Sequence, residues 1–217
     1  MNITGISLWG DSIGKGVMYD AQRGRYAIYG DNLFSLLKKS LDIPVDNYAV
    51  MGCTAPVGEE RMKRAELREG SLAVIEFGGN DCDYDWSKIS EDPDGTFQPH
   101  TPNDRFLSLY RDAIRAAQDT GAKVAVASIL PLDSERYFDF ITKGRDRENI
   151  LHWLGDVNHL YRWQEYYNAM VAQLSRAFGC RLVDLRAEFL KSRVFPTLIG
   201  ADGIHPTQAG HDLIHHT

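Results

Sequence analysis

Five short apolar runs, separated by stretches with helical periodicity, are the feature that most restricts how this chain can fold. The runs are rich in β-branched residues and end at glycine or a polar turn, which is typical of buried strands. Strands that alternate with helices form parallel βαβ units, and continuous apolar strands belong to a sheet covered on both faces. The sequence therefore predicts an α/β fold, a three-layer α/β/α sandwich with a five-stranded parallel sheet, in a single domain over residues 1–217. The predicted strands cover residues 3–9, 45–50, 73–77, 124–129 and 181–185, and the clearest predicted helices cover 31–40, 102–120 and 159–178.

The composition is that of a protein with a large core and a mildly acidic surface. Hydrophobic residues make up 43% of the chain, and 24 Lys and Arg stand against 30 Asp and Glu, for a net charge of -6. Nucleic-acid binding depends on clustered basic residues that neutralise phosphates, and the chain has no long basic run. The apolar run 3–9 is too short to span a bilayer, and it is not preceded by a basic leader. We therefore expect no nucleic-acid partner, no membrane insertion and no secretion signal.

The three cysteines, Cys53, Cys82 and Cys180, are odd in number and have no CxxC spacing. This usage is typical of reduced thiols in the cytoplasm and argues against disulfides and a zinc site. Cys53 and Cys82 directly follow motif residues, so a nucleophilic thiol is an alternative to the serine described below. A small buried side chain is the more ordinary role of such a cysteine. The expectation is a cytoplasmic protein without a metal and without a cofactor.

Glycine and polar residues follow each of the first three predicted strands. Ser12 ends the segment GDS after the first strand, Gly52 follows the second strand, and Asn80 lies in the segment GGND after the third. In sheets of this kind, ligands bind beyond the carboxyl ends of the strands, so the three residues are expected on one rim. A fourth segment, DGIHP, carries Asp202 and His205 close to the C-terminus.

These residue types match the requirements of ester cleavage by a serine. A serine hydroxyl is a weak nucleophile and needs a base to remove its proton as it attacks. Histidine suits that task because its unperturbed pKa is near 6.5, and a carboxylate three residues earlier can orient its ring. We therefore predict Ser12 as the nucleophile, His205 as the base and Asp202 as the residue that orients it. Pro206 predicts that the last helix starts directly after His205.

The negatively charged intermediate of such a reaction needs hydrogen-bond donors that are already in place. The backbone N–H groups of Ser12 and Gly52 and the side-chain amide of Asn80 are the predicted donors. Loss of one donor of this kind typically costs about 2.7–4 kcal/mol of transition-state stabilisation. Glycine at position 52 would let the backbone approach the substrate without a Cβ.

Other functional classes match the segment around Ser12 less well. GDSIG fits the nucleophile elbow of α/β-hydrolases, but that elbow follows several strands, and only one strand can precede Ser12. A phosphate-binding loop would need Ser or Thr after Lys15, where the chain has Gly16. Both alternatives are therefore disfavoured.

The chain resembles the SGNH/GDSL-type hydrolases, whose four signature residues correspond to Ser12, Gly52, Asn80 and His205. The resemblance extends from the first strand to the last helix, with Ile13 where these proteins usually have leucine. It implies the flavodoxin-like SGNH hydrolase fold and a carboxylic ester hydrolase that acts through an acyl-enzyme. Members include esterases, thioesterases, sugar-ester deacetylases and some acyltransferases, so the resemblance defines the chemistry better than the substrate.

The candidate substrate is a small-molecule ester with a short acyl group, such as acetyl on a carbohydrate or small alcohol, because the long connections 82–101 and 131–158 are largely polar. These connections are the expected pocket walls. An acyltransferase, a thioesterase or lysophospholipase-type acyl hydrolase, a non-catalytic binding module and an FMN protein remain alternatives. The short final helix leaves open whether it is weakly anchored or packs against an identical subunit in a homo-oligomer. The candidate substrate-binding residues are Asp11, which is also a candidate support for the nucleophile loop, and the aromatic residues Trp86, Tyr137, Phe138 and Trp153.

Overall fold

Parallel pairing of five apolar strands forms the centre of the protein. The computed structural model describes residues 3–28 and 30–217, and positions 1, 2 and 29 of the predicted domain lie outside these residues. The sheet order is β4-β1-β5-β6-β7, and every neighbouring pair is parallel. The predicted fold class is therefore confirmed. The strands are β1 (Ile6–Gly10), β2 (Val17–Asp20), β3 (Arg25–Ile28), β4 (Val45–Asn47), β5 (Leu72–Glu76), β6 (Lys123–Ala127) and β7 (Arg181–Val183).

Helices connect the strands and cover both faces of the sheet. The long helices begin within two residues of their predicted starts, and the shorter ones lie mainly in the connections. The helices are α1 (Ser12–Lys15), α2 (Leu33–Ser40), α3 (Ala55–Lys63), α4 (Trp86–Glu91), α5 (Asn103–Asp119), α6 (Ser134–Ile141), α7 (Arg147–Leu154), α8 (His159–Ala177), α9 (Leu185–Lys191), α10 (Phe195–Leu198) and α11 (Gln208–His216).

The alternation of side chains along the central strands divides the core into two layers. Ile75 and Val126 point toward α3, α5 and α8 and belong to the largest buried cluster, together with Phe106 and Tyr110 of α5. Ala127 belongs to a second cluster with residues of α1, α9, α10 and α11. Burial of apolar side chains on both faces explains why these strands contain almost no polar residues.

The second predicted strand is shorter in the structure than in the prediction. Regular strand geometry in β4 ends at Asn47. Backbone pairing with β1 nevertheless continues, because the Tyr48 N–H donates to the Leu8 carbonyl at 2.8 Å and the Val50 N–H donates to the Gly10 carbonyl at 3.0 Å. This extended pairing brings the segment around Gly52 to the end of β1, next to Ser12.

The sequence analysis did not predict the antiparallel hairpin formed by β2 and β3. The two strands pair with Tyr19 opposite Tyr26, and Asp20 accepts hydrogen bonds from the backbone N–H groups of Gln22 and Arg23 in the turn. Two β-rich segments joined by a short turn that contains Gly24 are the available signal for a hairpin. The hairpin lies outside the main sheet.

The two long connections fold into helices α4, α6 and α7 and enclose a third cluster of buried residues. This aromatic and aliphatic cluster stands above the carboxyl ends of the strands, in segments that were predicted to be largely polar. Their apolar residues recur at helical spacing and turn inward together, while the charged residues between them face outward. Among the described residues, no helix has both the length and the apolar character needed to cross a bilayer. The cluster contains Tyr84, Trp86, Ile89, Leu132, Tyr137, Phe138, Ile141, Ile150, Leu154 and Leu160.

Candidate active site

Ser12, His205 and Asp202 form a continuous chain of hydrogen bonds at the carboxyl end of the sheet. The His205 Nε2 atom lies 2.9 Å from the Ser12 Oγ atom, and the His205 Nδ1 atom lies 2.6 Å from the Asp202 Oδ2 atom. All three side chains are buried, and Asp202 is 0% exposed. The structure therefore brings together the three residues that were predicted to act as nucleophile, base and orienting carboxylate.

The turn that carries Asp202 and His205 is built by the aspartate itself. Asp202 Oδ1 accepts hydrogen bonds from the backbone N–H groups of Ile204, at 3.3 Å, and His205, at 3.2 Å. Such bonds from an aspartate to the backbone two and three residues later stabilise a turn, and they leave Oδ2 for the imidazole. Gly203 is required here because its φ is +81° and an added Cβ would lie 2.3 Å from the backbone nitrogen of Tyr137.

The last helix starts later than predicted. Its N-cap is Thr207, whose hydroxyl accepts a hydrogen bond from the Gly210 N–H, and α11 begins at Gln208. Pro206 instead forms an isolated antiparallel bridge with Ile199. The predicted helix start after His205 was therefore wrong. The bridge closes the loop that contains Asp202 and fixes His205 in it.

The nucleophile loop is held by Asp11, which caps the short helix α1. Its Oδ1 atom accepts from the Ile13 N–H at 2.9 Å, and its Oδ2 atom accepts from the Asn80 amide at 2.8 Å. Ser12 is consequently the first residue of a helical turn, so its backbone N–H needs no helical partner. Both oxygens of Asp11 are thus engaged within the protein, which corresponds to the predicted support of the loop. Asp11 also borders the cavity described below.

A second carboxyl group lies beneath this loop. The Glu76 Oε2 atom accepts from the Asp11 backbone N–H at 3.4 Å, and both side chains are buried. Burial, and then the negative charge of Asp11, hold the pKa of Glu76 well above its ordinary value. Burial also raises the pKa of Asp11, and the hydrogen bond from the Ile13 N–H opposes that rise.

The side-chain amide of Asn80 links the two loops that carry the other predicted oxyanion donors, Ser12 and Gly52. Its Nδ2 atom donates to Asp11 and, at 3.2 Å, to the Cys53 carbonyl next to Gly52. Both amide hydrogens therefore have acceptors within the protein. An oxyanion would have to share or replace one of these acceptors.

Gly52 adopts a conformation that favours glycine. Its φ is +74°, and an added Cβ would meet no atom within 4 Å. The left-handed backbone, more than close packing, accounts for glycine at this position. Gly52 is exposed and is not among the residues that border the cavity next to Ser12.

A cavity of about 90 Å³ opens beside Ser12 and His205. Its walls come mainly from the two long connections and the start of α8, and they are mostly apolar and aromatic. Trp86 lies on this wall, with its indole N–H donating to Asp83 at 2.8 Å. Tyr137 also borders the cavity, so two of the predicted aromatic contacts are in position. The sequence analysis did not assign the other wall residues, which include Tyr84, Leu132, Leu154, Leu160 and Ile204.

Phe138 and Trp153, the other two predicted aromatic contacts, lie behind this wall. Phe138 is buried and packs under the guanidinium of Arg147 at 4.3 Å from its ring centroid. Trp153 packs edge-on against Tyr84, with ring centroids 4.9 Å apart, and donates its N–H to the Gly95 carbonyl. Their helices turn them away from the cavity, so they support the wall residues and are not part of the surface next to Ser12.

The cysteines next to the motif residues are buried thiols. Burial raises the pKa of Cys53 to about 11 and holds the pKa of Cys82 well above its ordinary value. A reactive cysteine is normally activated by a lowered pKa, and neither thiol has one. Ser12 is therefore the better candidate nucleophile.

Tyr26 of the hairpin is a site residue that the sequence analysis missed. Its ring centroid lies 4.8 Å from that of His205, and the two planes are inclined by 54°. Tyr26 is far from His205 in sequence and belongs to no motif segment, so no local signal identifies the contact.

The histidines of α11 do not form a metal site. No group of three or more His, Cys, Asp or Glu side chains among residues 3–28 and 30–217 is placed to hold a metal ion. His211 is fully buried. Burial lowers the pKa of His211 to about 4.

The buried His211 predicts an acid-sensitive contribution to stability. The unfolded chain binds a proton at this histidine near pH 6.5, whereas the folded protein resists protonation until about pH 4. The free energy of unfolding should therefore fall, by up to about 3 kcal/mol from this residue, as the pH drops through this interval. Urea unfolding of wild type and His211→Leu between pH 7 and pH 4 measures the effect. Parallel stability curves for the two proteins would contradict it.

The family comparison agrees with this geometry. The sequence model of the GDSL-like lipase/acylhydrolase family matches residues 8–213 of the chain. No match was found among the sequences of curated proteins.

Solved structures with the same fold share little sequence with this chain. A member of the lipolytic G-D-S-L family from Veillonella parvula is 16% identical, with a TM-score of 0.66 and coverage of 98% of this chain and 94% of that one. A lipase/acylhydrolase from Enterococcus faecalis is 20% identical, with a TM-score of 0.62 and coverage of 99% and 92%. An acetyl xylan esterase is 18% identical, with a TM-score of 0.66 and coverage of 98% and 96%. At these identities the structures support the fold and leave the substrate open.

Proposed function

Because this chain belongs to the GDSL-like lipase/acylhydrolase family and is a carboxylic ester hydrolase, we propose that it cleaves esters of short acyl groups through an acyl-enzyme on Ser12. The observation that carries the proposal is the chain of hydrogen bonds from Ser12 through His205 to Asp202, next to a small apolar cavity. No metal or cofactor takes part in the proposed reaction.

In the first step, His205 Nε2 accepts the hydroxyl proton of Ser12 while Oγ attacks the ester carbonyl carbon. Asp202 remains ionised, accepts the Nδ1–H hydrogen bond and stabilises the imidazolium that forms. His205 then donates its proton to the oxygen of the departing alcohol as the C–O bond breaks. The acyl group stays on Ser12 as an ester.

In the second step, water hydrolyses the acyl-enzyme. His205 accepts a proton from water as the water oxygen attacks the acyl carbon, and it returns that proton to Ser12 Oγ when the acyl-enzyme bond breaks. The products are a carboxylic acid and the free enzyme.

The proposed oxyanion donors are the Ser12 and Gly52 backbone N–H groups and the Asn80 amide. Neither backbone N–H donates to a protein acceptor among the described residues. Asn80 is held at the rim by Asp11 and the Cys53 carbonyl, so it is oriented before substrate binds. The two backbone donors need no reorganisation during the reaction, whereas the Asn80 amide has to share or release one of its two acceptors.

Asn80→Ala tests the third donor. We expect kcat to fall by about 10²- to 10³-fold, because the amide hydrogen bond stabilises the charged intermediate more than it stabilises the bound ester. Steady-state kinetics on a chromogenic acetyl ester measures the loss. Asn149→Ala is a suitable control, because that amide donates to the Ser90 carbonyl away from the cavity. Equal activity of Asn80→Ala and wild type would remove Asn80 from the oxyanion hole.

The size of the cavity supports a short acyl group. The cavity next to Ser12 is small, about 90 Å³, and offers little space for a long alkyl chain. The apolar wall of Leu132, Leu154 and Leu160 suits the methyl or short alkyl end of an acyl group. One structure similar to this chain is an acetyl xylan esterase, so the fold can accommodate esters of this type.

A series of p-nitrophenyl esters from acetate to palmitate tests the acyl preference. We expect kcat/KM to be highest for the shortest members and to decline once the chain exceeds the cavity. A maximum at long chains would reject the short-acyl proposal while leaving the serine mechanism intact. Adding a sugar or alcohol acceptor and measuring transfer products then separates hydrolysis from acyl transfer.

A further inference from the structure

The β2–β3 hairpin covers the catalytic histidine with an aromatic cluster. The cluster consists of Tyr19 and Tyr26 from the hairpin and Phe140 from α6. Ring centroids of Tyr19 and Tyr26 lie 5.3 Å apart, those of Tyr19 and Phe140 5.3 Å apart, and those of Tyr26 and Phe140 6.4 Å apart. Of the three, Tyr26 contacts the imidazole, with centroids 4.8 Å apart.

The loop that carries Asp202 also touches the hairpin. The two segments pass close to each other, because a Cβ added to Gly200 would lie 4.0 Å from the Tyr19 Cβ. Burial and then the negative charge of Asp202 raise the pKa of the Tyr26 hydroxyl above its ordinary value. Tyr26 therefore packs its ring on His205 and feels the charge of Asp202, the partner of that histidine.

We propose that Tyr26 is a positioning residue whose ring stabilises the imidazolium form of His205 during ester hydrolysis. The inference rests on the proposed function, because the imidazolium forms only if His205 accepts the Ser12 proton. An aromatic ring within about 6 Å of a cation attracts it through the negative charge of its π-face. His205 is only 4% exposed, so water contributes little to solvation of the new charge.

Other titratable groups near His205 also affect the stability of its protonated ring. Asp202 accepts its Nδ1–H, and the negative charge of Asp11 acts on the ring from the nucleophile loop. His211 of α11 is also close enough to interact with His205 and is held neutral by burial. Tyr26 adds a neutral contact from the hairpin, so its removal changes no formal charge in the site.

Replacement of the ring distinguishes this role from simple shielding. Tyr26→Leu should lower kcat by about threefold to thirtyfold, the range expected for a desolvated cation–π contact, with a smaller change in KM. The acid limb of the kcat/KM profile should move to lower pH, because the protonated histidine loses a stabilising neighbour. If the ring only excluded water, its loss would hydrate the imidazolium and move the acid limb to higher pH.

Three further variants complete the test. Tyr26→Phe keeps the ring and should recover most of the rate and the wild-type acid limb. Tyr26→Met, of similar bulk without a ring, should behave like Tyr26→Leu and covers the case in which the leucine variant unfolds. Tyr19→Leu alters the same hairpin without touching His205 and should change the acid limb little. Thermal unfolding of each variant confirms that the fold is retained.

The outcomes separate failure of the inference from failure of the proposed function. An active wild type with an unchanged acid limb and rate in both ringless variants would overturn the role of Tyr26 alone. A shift to higher pH, or equal losses in Tyr26→Phe and Tyr26→Leu, would also overturn it. Absence of esterase activity in the wild type would instead reject the proposed function.

Discussion

Replacing Ser12 by alanine is expected to lower kcat by at least about 10⁴-fold, because it removes the oxygen atom that we propose forms the acyl-enzyme. His205 and Asp202 would remain in place, since the Asp202 turn is held by its own backbone bonds and the Pro206 bridge. Substrate binding in the cavity should change little, so the loss should appear in kcat and leave KM nearly unchanged. Kinetics on an acetyl ester measures this effect.

Covalent labelling provides an independent measure of the same prediction. A fluorophosphonate loses fluoride when an activated serine attacks its phosphorus, and the adduct is visible by intact-mass spectrometry. Wild type should gain one adduct and Ser12→Ala none. Ser128→Ala is a matched control, because that buried serine caps the Arg186 backbone N–H away from the cavity. An adduct that persists in Ser12→Ala would place the nucleophile elsewhere.

Replacing Asp202 by asparagine is expected to lower kcat by about 10³- to 10⁴-fold. The Oδ2 atom that accepts from His205 Nδ1 at 2.6 Å would become either an amide donor or a neutral acceptor. An amide donor at this position favours the wrong histidine tautomer, and a neutral acceptor no longer stabilises the imidazolium. The substitution keeps the size of the side chain, so the turn through Oδ1 can persist.

The matched control for Asp202→Asn is Asp94→Asn. Asp94 also lies near a histidine, with its Oδ1 atom 2.9 Å from His152 Nε2, but both side chains are exposed. Kinetics and far-UV circular dichroism of the two variants should show a folded, nearly inactive Asp202→Asn and a fully active Asp94→Asn. Near-normal activity of folded Asp202→Asn would show that His205 is oriented by other contacts.

Much of the site was predictable because its residues lie at the ends of apolar strands. Ser12, Gly52 and Asn80 follow β1, β4 and β5, and adjacent parallel strands bring their carboxyl ends to one rim. The spacing of Asp202 and His205 also indicated a turn in which both side chains could meet. The start of α11 was less predictable, because Pro206 is compatible both with a first helical position and with the bridge that it forms to Ile199.

The aromatic wall shows where local patterns become insufficient. Trp86, Tyr137, Phe138 and Trp153 look alike in sequence, yet only the first two border the cavity. Their directions depend on how α4, α6 and α7 pack against each other and against α8. Two successive residues, Tyr137 and Phe138, point to different surroundings because one helical step rotates a side chain by about 100°.

The sequence by itself determined the five strands of the main sheet, the three longest helices between them and the chemical groups at the rim, because hydrophobic periodicity and short motifs act over neighbouring residues. Tertiary structure alone decided that Asn80 points to Asp11, that Tyr26 lies against His205 and that the long connections enclose a small apolar cavity. These contacts join residues far apart in the chain. Their geometry depends on the simultaneous packing of several elements, which no local pattern records.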